Sequence, residues 1–176
     1  MKKLVLVLAI VFAGVISANA QAWWIGGGIG AEAYKNHTCF NIAPEIGYNI
    51  NNQWTIALGA GYGFTREVTP ALIPGTEDVV TTTNELTLQP YVRYVGGTIG
   101  KKFSLFLDLT GDFGLIDRAG WAVSLRPGIA WAATERFTAA FRFGFAGYDH
   151  GFYGANNGFY LNCEMATPEI RFYYTL

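Results

Sequence analysis

The sequence predicts an all-β protein: an eight-stranded antiparallel up-and-down transmembrane β-barrel at residues 21–176, preceded by a cleavable signal peptide at residues 1–20. Three observations predict it. Bulky apolar residues alternate with small or polar ones along most of the chain, charged residues make up only 14%, and aromatic residues reach 16%. Soluble domains carry roughly 25% charged residues, so a water-facing surface is under-supplied here. The plentiful apolar residues exclude disorder. A net charge of −1 excludes a basic surface that tracks phosphates, so nucleic acid is not an expected partner.

Lys2 and Lys3 form a positive n-region, and Leu4 to Ile16 an apolar run shorter than the roughly 20 residues a spanning helix needs. Ala18-Asn19-Ala20 then supplies a small-x-small cleavage pattern, which predicts a cut between Ala20 and Gln21. Loss of the two lysines takes the net charge from −1 to −3. No later window is apolar over a helical spanning length. Insertion into a membrane would therefore require a closed barrel, because unpaired backbone groups are costly in lipid.

Each strand is read from a two-residue period. The first runs from Trp23 to Ala33. In the second, Phe40, Ile42, Pro44, Ile46, Tyr48 and Ile50 oppose Asn41, Glu45 and Asn49. The third is the clearest: Trp54, Ile56, Leu58, Ala60, Tyr62 and Phe64 alternate with Thr55, Ala57, Gly59, Gly61, Gly63 and Thr65. A helix would scatter those large residues around its circumference. In the fourth, Leu86, Leu88, Pro90, Val92 and Tyr94 oppose Thr87, Gln89 and Arg93. In the fifth, Phe103, Leu105, Leu107 and Leu109 oppose Ser104, Asp108 and Asp112. The sixth sets Trp121, Val123, Leu125, Pro127, Ile129 and Trp131 against Ser124, Arg126 and Gly128. The seventh sets Phe137, Phe141, Phe143 and Phe145 against Thr138, Arg142 and Gly144. The eighth sets Pro168, Ile170, Phe172, Tyr174 and Leu176 against Glu169, Arg171 and Tyr173.

An internal repeat supports this division. Pro44-Glu45-Ile46-Gly47-Tyr48 recurs as Pro90-Tyr91-Val92-Arg93-Tyr94, Pro127-Gly128-Ile129-Ala130-Trp131 and Pro168-Glu169-Ile170-Arg171-Phe172. Short polar turns follow the first three copies, and the next strand opens on Trp54, Phe103 or Phe137. The chain is a series of hairpins. Proline cannot donate to a ladder, so its repeated position predicts bulges or bends.

The bulky face carries aromatics at its ends (Trp54, Phe64, Tyr48, Tyr94, Trp121 and Trp131) and aliphatics between them, the girdle pattern of a transmembrane barrel. The opposite face is mostly glycine, alanine, threonine and isolated charges, small enough to fill an eight-stranded lumen. Its charges are Glu45, Arg93, Asp108, Asp112, Arg126, Arg142, Glu169 and Arg171, four acids and four bases. Buried charge is expensive alone, so this balance predicts a network of mutual pairs that plugs the lumen. A narrow polar path for water or small ions is the alternative use of the same residues. In a soluble, lipocalin-like carrier the bulky face would instead point inward.

Short turns follow the proline strands, which puts them and both termini in the periplasm and the longer loops outside. The outward loops are read as Tyr34 to Thr38, Arg66 to Asn84, Ile116 to Gly120 and Tyr148 to Phe159. Recognition by an external partner, unidentified, would sit there.

Few residues offer catalysis, cofactor binding or metal binding, and none is assigned. Gly26, Gly28 and Ala31 match a dinucleotide pattern, but Tyr34-Lys35-Asn36-His37-Thr38 offers no helix after it. Ser124 with His150 and Asp149 is the one nucleophile set the strand order allows, and would serve a lipid esterase or acyltransferase. Cys39 and Cys163 each precede a repeat proline by five residues. A disulfide between them suits an oxidising compartment, although the first strand should lie between theirs.

The hairpin pattern, the signal peptide and runs such as Pro44 to Phe64 resemble the small bacterial outer-membrane β-barrel proteins, the "outer membrane beta-barrel" or "porin family" proteins related in architecture to the OmpX and OmpA transmembrane domains. The resemblance covers the whole processed chain. It implies a monomer in outer-membrane lipid, inserted by the barrel assembly machinery, which reads an aromatic-rich last strand; Phe172, Tyr173 and Tyr174 match, with Leu176 in the final position. A structural, adhesive or surface-interaction role is the expectation, with the lipid-modifying enzyme, the passive pore and the soluble carrier as alternatives.

Overall fold

A computed structural model describes residues 22–70, 78–116, 120–152, 157–162 and 169–176. The expected cleavage site at Ala20 and Gln21, the Pro168 copy of the repeat and Cys163 lie outside these residues, so the Cys39–Cys163 pairing does too.

Among the described residues, ten strand segments form one sheet: β1 (Trp23–Tyr34), β2 (His37–Asn49), β3 (Trp54–Thr69), β4 (Val79–Ile99), β5 (Phe103–Ile116), β6 (Trp121–Ala132), β7 (Phe137–Arg142), β8 (Phe145–His150), β9 (Gly158–Asn162) and β10 (Glu169–Thr175). From β1 to β6 each pairs antiparallel with the next. β7 and β8 both pair with β6, while β10 pairs with β7 and β9 with β8, so each couple fills one strand position. β10 then pairs with β1 and closes the ring. The result is an eight-stranded antiparallel up-and-down barrel.

Among the described residues, Pro44, Pro90 and Pro127 face gaps in the ladder. Pro44 lies opposite Gly27, whose φ of 145° no other residue type adopts comfortably. Pro127 faces the break between β7 and β8, where Gly144 has φ 59° and Phe143 donates its N–H to the Pro127 carbonyl at 2.9 Å. This one-residue bulge reverses the facing of everything after it. The uninterrupted alternation put Phe145 on the outer face with Phe141; the bulge turns it inward, where its ring lies 5.8 Å from the Arg126 guanidinium. Asp149 becomes fully buried and His150 exposed.

The bulky residues look out. Leu58, Leu105, Leu109 and Leu125 are 43–49% exposed, while Asp108, Asp112 and Ala140 inside are at 0%. A soluble carrier needs the reverse. Aromatics ring the wall at two levels. Near the short turns Trp23 packs on Tyr48 at 4.9 Å, Trp54 on Tyr94 at 4.8 Å and Phe137 on Phe172 at 5.9 Å. At the loop end Phe40 pairs with Phe64, Phe113 with Trp121, and Trp121 lies 5.8 Å from Tyr148. Trp54 and Phe64 are ten residues apart on β3. At about 3.3 Å per residue and a tilt near 40–45°, that separates the belts by about 24 Å, close to the apolar band of roughly 25 Å on membrane barrels.

The loop end differs from the sequence reading. Arg66 to Thr69 and Val79 to Asn84 were expected in a loop, yet they pair as a hairpin, Arg66 with Thr82 and Thr69 with Val79. Thr81-Thr82-Thr83 is strand because β-branched residues suit a pleated backbone. The β1–β2 connection shrinks likewise to Lys35 and Asn36, with Asn36 at φ 70°. Strands β1 to β4 therefore continue past the upper aromatic ring, whereas β5 stops pairing with β4 at Leu86–Ile116.

Candidate functional site

The lumen is the candidate site, and its residues arrive there by strand parity. β2 delivers Glu45, β4 Arg93, Tyr91 and Gln89, β5 Asp108 and Asp112, β6 Arg126, β7 Arg142, and β10 Glu169 and Arg171. All eight charges named from the sequence join one network. Asp108 receives a two-pronged pair from Arg93, Nε at 2.7 Å and Nη2 at 2.9 Å, and a second arginine, Arg142, through Nε at 2.8 Å. Two-pronged pairing of this kind is among the stronger charge-assisted contacts. Arg142 also reaches Glu169 at 3.3 Å, and Arg126 lies 3.7 Å from the same carboxylate. Arg126 donates to Asp112 at 2.6 Å, and Gln89 donates to Asp112 at 2.8 Å. Arg171 pairs with both Glu45 and Glu169, and Tyr91 donates its hydroxyl proton to Glu45 at 2.7 Å. Charge is thus compensated at each step across the tube. Desolvating so many ions is costly unless every one is paired and hydrogen-bonded, which is what the network supplies.

Beneath it, towards the short turns, sits an aromatic layer of which the sequence reading placed only Tyr173 on the inner face, expecting small residues elsewhere. Trp24, Tyr91, Phe106 and Tyr173 are each 4–5% exposed. Trp24 meets Tyr173 edge-on at 4.6 Å, and the Arg93 guanidinium lies 3.9 Å over the Phe106 ring. The signal existed: Trp24 shares parity with Gly26 and Gly28, and Phe106 with Asp108. Large rings fit because the facing inward positions are bare, such as Gly47 beside Trp24 and Gly128 beside Phe106. Two cavities flank the network. The lower, about 150 Å³, is lined by Arg93, Phe106 and Tyr173; the upper, about 320 Å³, by Arg126, Glu169 and Arg171.

The esterase set does not assemble. Ser124 is inside, 2% exposed, and accepts a hydrogen bond from Arg126 Nε at 3.1 Å. His150 is on the outer face, its ring 5.5 Å from Trp121. Asp149 points inward and accepts the Phe152 N–H at 2.9 Å. Serine and histidine are on opposite sides of the wall. Half-buried Cys39 has no disulfide partner among the described residues, and its sulfur accepts a hydrogen bond from the Thr65 hydroxyl at 3.7 Å.

The chain matches no protein-family model and no curated protein.

Proposed function

We propose that the chain is a monomeric bacterial outer-membrane barrel whose lumen is closed by ion pairs, and whose role is structural and adhesive, exerted by the sheet it projects outward. The observation that carries the membrane reading is the wall: exposed leucines and isoleucines between two aromatic rings about 24 Å apart. Water would leave that area unburied, whereas hydrocarbon covers it at about 25 cal/mol per Å². The surrounding partner is then outer-membrane lipid, with the barrel assembly machinery acting during insertion. Short turns and both termini face the periplasm. The resemblance to small outer-membrane barrels agrees with this reading.

The adhesive role rests on β4. Among the described residues no strand pairs with the far edge of Val79 to Thr83, because β5 begins its pairing only at Leu86. An exposed run of Val79-Val80-Thr81-Thr82-Thr83 is a template for an added strand. The lumen, filled by compensated charge, offers no comparable surface for a macromolecule.

Intact cells test both halves. In a Cys39→Ser/Cys163→Ser background, Thr81→Cys should react with a membrane-impermeant maleimide, and Asn52→Cys in the short turn should react only after permeabilisation. Labelling of both only after lysis contradicts surface display. The same cells should retain reduced, carboxymethylated lactalbumin, an extended chain, and Val80→Lys/Thr82→Lys cells should lose about tenfold of that retention, because edge charges block strand addition. Unchanged retention contradicts the edge.

A further inference from the structure

The upper cavity carries a second capacity that does not depend on the projecting edge. It holds about 320 Å³, the lower end of the range for small-molecule sites. Its floor is Glu169, Arg171 and Gln89, and Arg126 lines one side. Gln89 is held rigid, donating to Asp112 at 2.8 Å and accepting from Arg171 at 3.3 Å. Glu169 keeps 39% of its side chain accessible even while it bonds Arg142 and Arg171. The lining thus presents carboxylate and amide acceptors beside guanidinium donors, already oriented. Gly61 and Gly63 lower the opposite wall, where the Thr87 hydroxyl and the Glu85 carboxylate stand beside them as further polar groups. Phe152, 4% exposed and tied to Asp149 through its backbone N–H at 2.9 Å, contributes an aromatic ring.

We propose that this cavity binds a small neutral polyol of the monosaccharide class. A hydroxyl is both donor and acceptor, so it satisfies a lining that alternates the two. Each charge on the floor is already matched, and a ligand with net charge would have to compete with those buried pairs. A pyranose also has an apolar C–H face, which suits the Phe152 ring, and a flat profile, which suits the wall lowered at the two glycines. Pre-oriented polar groups lower the ordering cost of binding. Because the ion network closes the floor, the solute is held there and does not pass through.

Glucose is the neutral probe, with gluconate and glucosamine as its anionic and cationic counterparts, titrated by calorimetry into the full chain refolded in phosphatidylcholine vesicles. Glucose should bind saturably in the millimolar range, and both charged probes more weakly. Gly63→Leu fills the cavity; a Cβ there meets only Glu85, at 3.8 Å, so the barrel should keep its folded, unboiled gel mobility. That variant should weaken glucose binding at least about tenfold. Val80→Lys/Thr82→Lys, which changes only the projecting edge, should leave it unaltered. Absence of saturable glucose binding overturns the proposal. So does glucose binding that survives Gly63→Leu, or tighter binding of either charged probe.

Discussion

Replacing Asp108 with alanine should lower the unfolding free energy by about 3–5 kcal/mol, the range for removing one partner of a buried ion pair. Asp108 is fully buried and accepts from two arginines, Arg93 and Arg142. Without it both guanidinium groups stay inside, each within 5.5 Å of the Tyr91 ring centre, with one fewer acid between them. The cost is the desolvation of an unmatched cation, not the modest net value of a hydrogen bond. Removing a cation as well restores the balance, so Asp108→Ala/Arg93→Leu should recover part of the loss. The rim pair provides the control. His37 and Glu67 lie 3.4 Å apart, but the Glu67 side chain is 61% exposed. Glu67→Gln should cost less than about 1 kcal/mol. Urea titration of vesicle-inserted protein, followed by tryptophan fluorescence, distinguishes these values. Equal effects at Asp108 and Glu67 would mean that the lumen is wet and the network is not load-carrying.

Leu109→Arg should cost about 2–4 kcal/mol in the same vesicles, as for a cation at the bilayer midplane. Leu109 lies midway between the aromatic rings, paired with Val92 on one side and Leu125 on the other, and is 49% exposed. Phe103→Arg, at the level of the lower ring, should cost only about 0–1 kcal/mol, because the side chain reaches the interface. A depth-dependent penalty is the mark of hydrocarbon. On a water-facing wall both substitutions would stay within about 0.5 kcal/mol of neutral.

Much of the barrel was legible because a two-residue period maps directly onto the two faces of a strand. Hairpin order, the outward leucines and the identity of the lumen charges all follow from that parity. What parity cannot hold is a bulge. Phe145 belongs to an unbroken alternation in the sequence, and only the extra residue at Phe143-Gly144 turns it inward. Glycine there was read as one more small inward residue, although its positive φ is what allows the turn. The order of ion pairing was equally hidden. Arg93 and Arg126 both stand directly across from Asp108 on neighbouring strands. Arg93 takes the carboxylate, whereas Arg126 goes to Asp112, since Arg142 reaches Asp108 instead. Such reach depends on the curvature of the closed wall, which no single strand encodes. The projecting hairpin was missed for another reason: Arg66, Glu67 and the threonines look like polar loop, and polarity says only that they meet water.

The central claim is the facing of the wall, and a nitroxide scan along β5 tests it most directly. Single cysteines from Phe103 to Thr110, spin-labelled after Cys39→Ser/Cys163→Ser substitution, would be placed in lipid vesicles and probed with oxygen and with a water-soluble nickel complex. Labels at 103, 105, 107 and 109 should collide strongly with lipid-dissolved oxygen and poorly with nickel, while those at 104, 106, 108 and 110 should be immobilised. If the odd-numbered labels are instead shielded from both reagents, or are reached by nickel, those side chains do not face lipid and the assignment to a membrane is wrong.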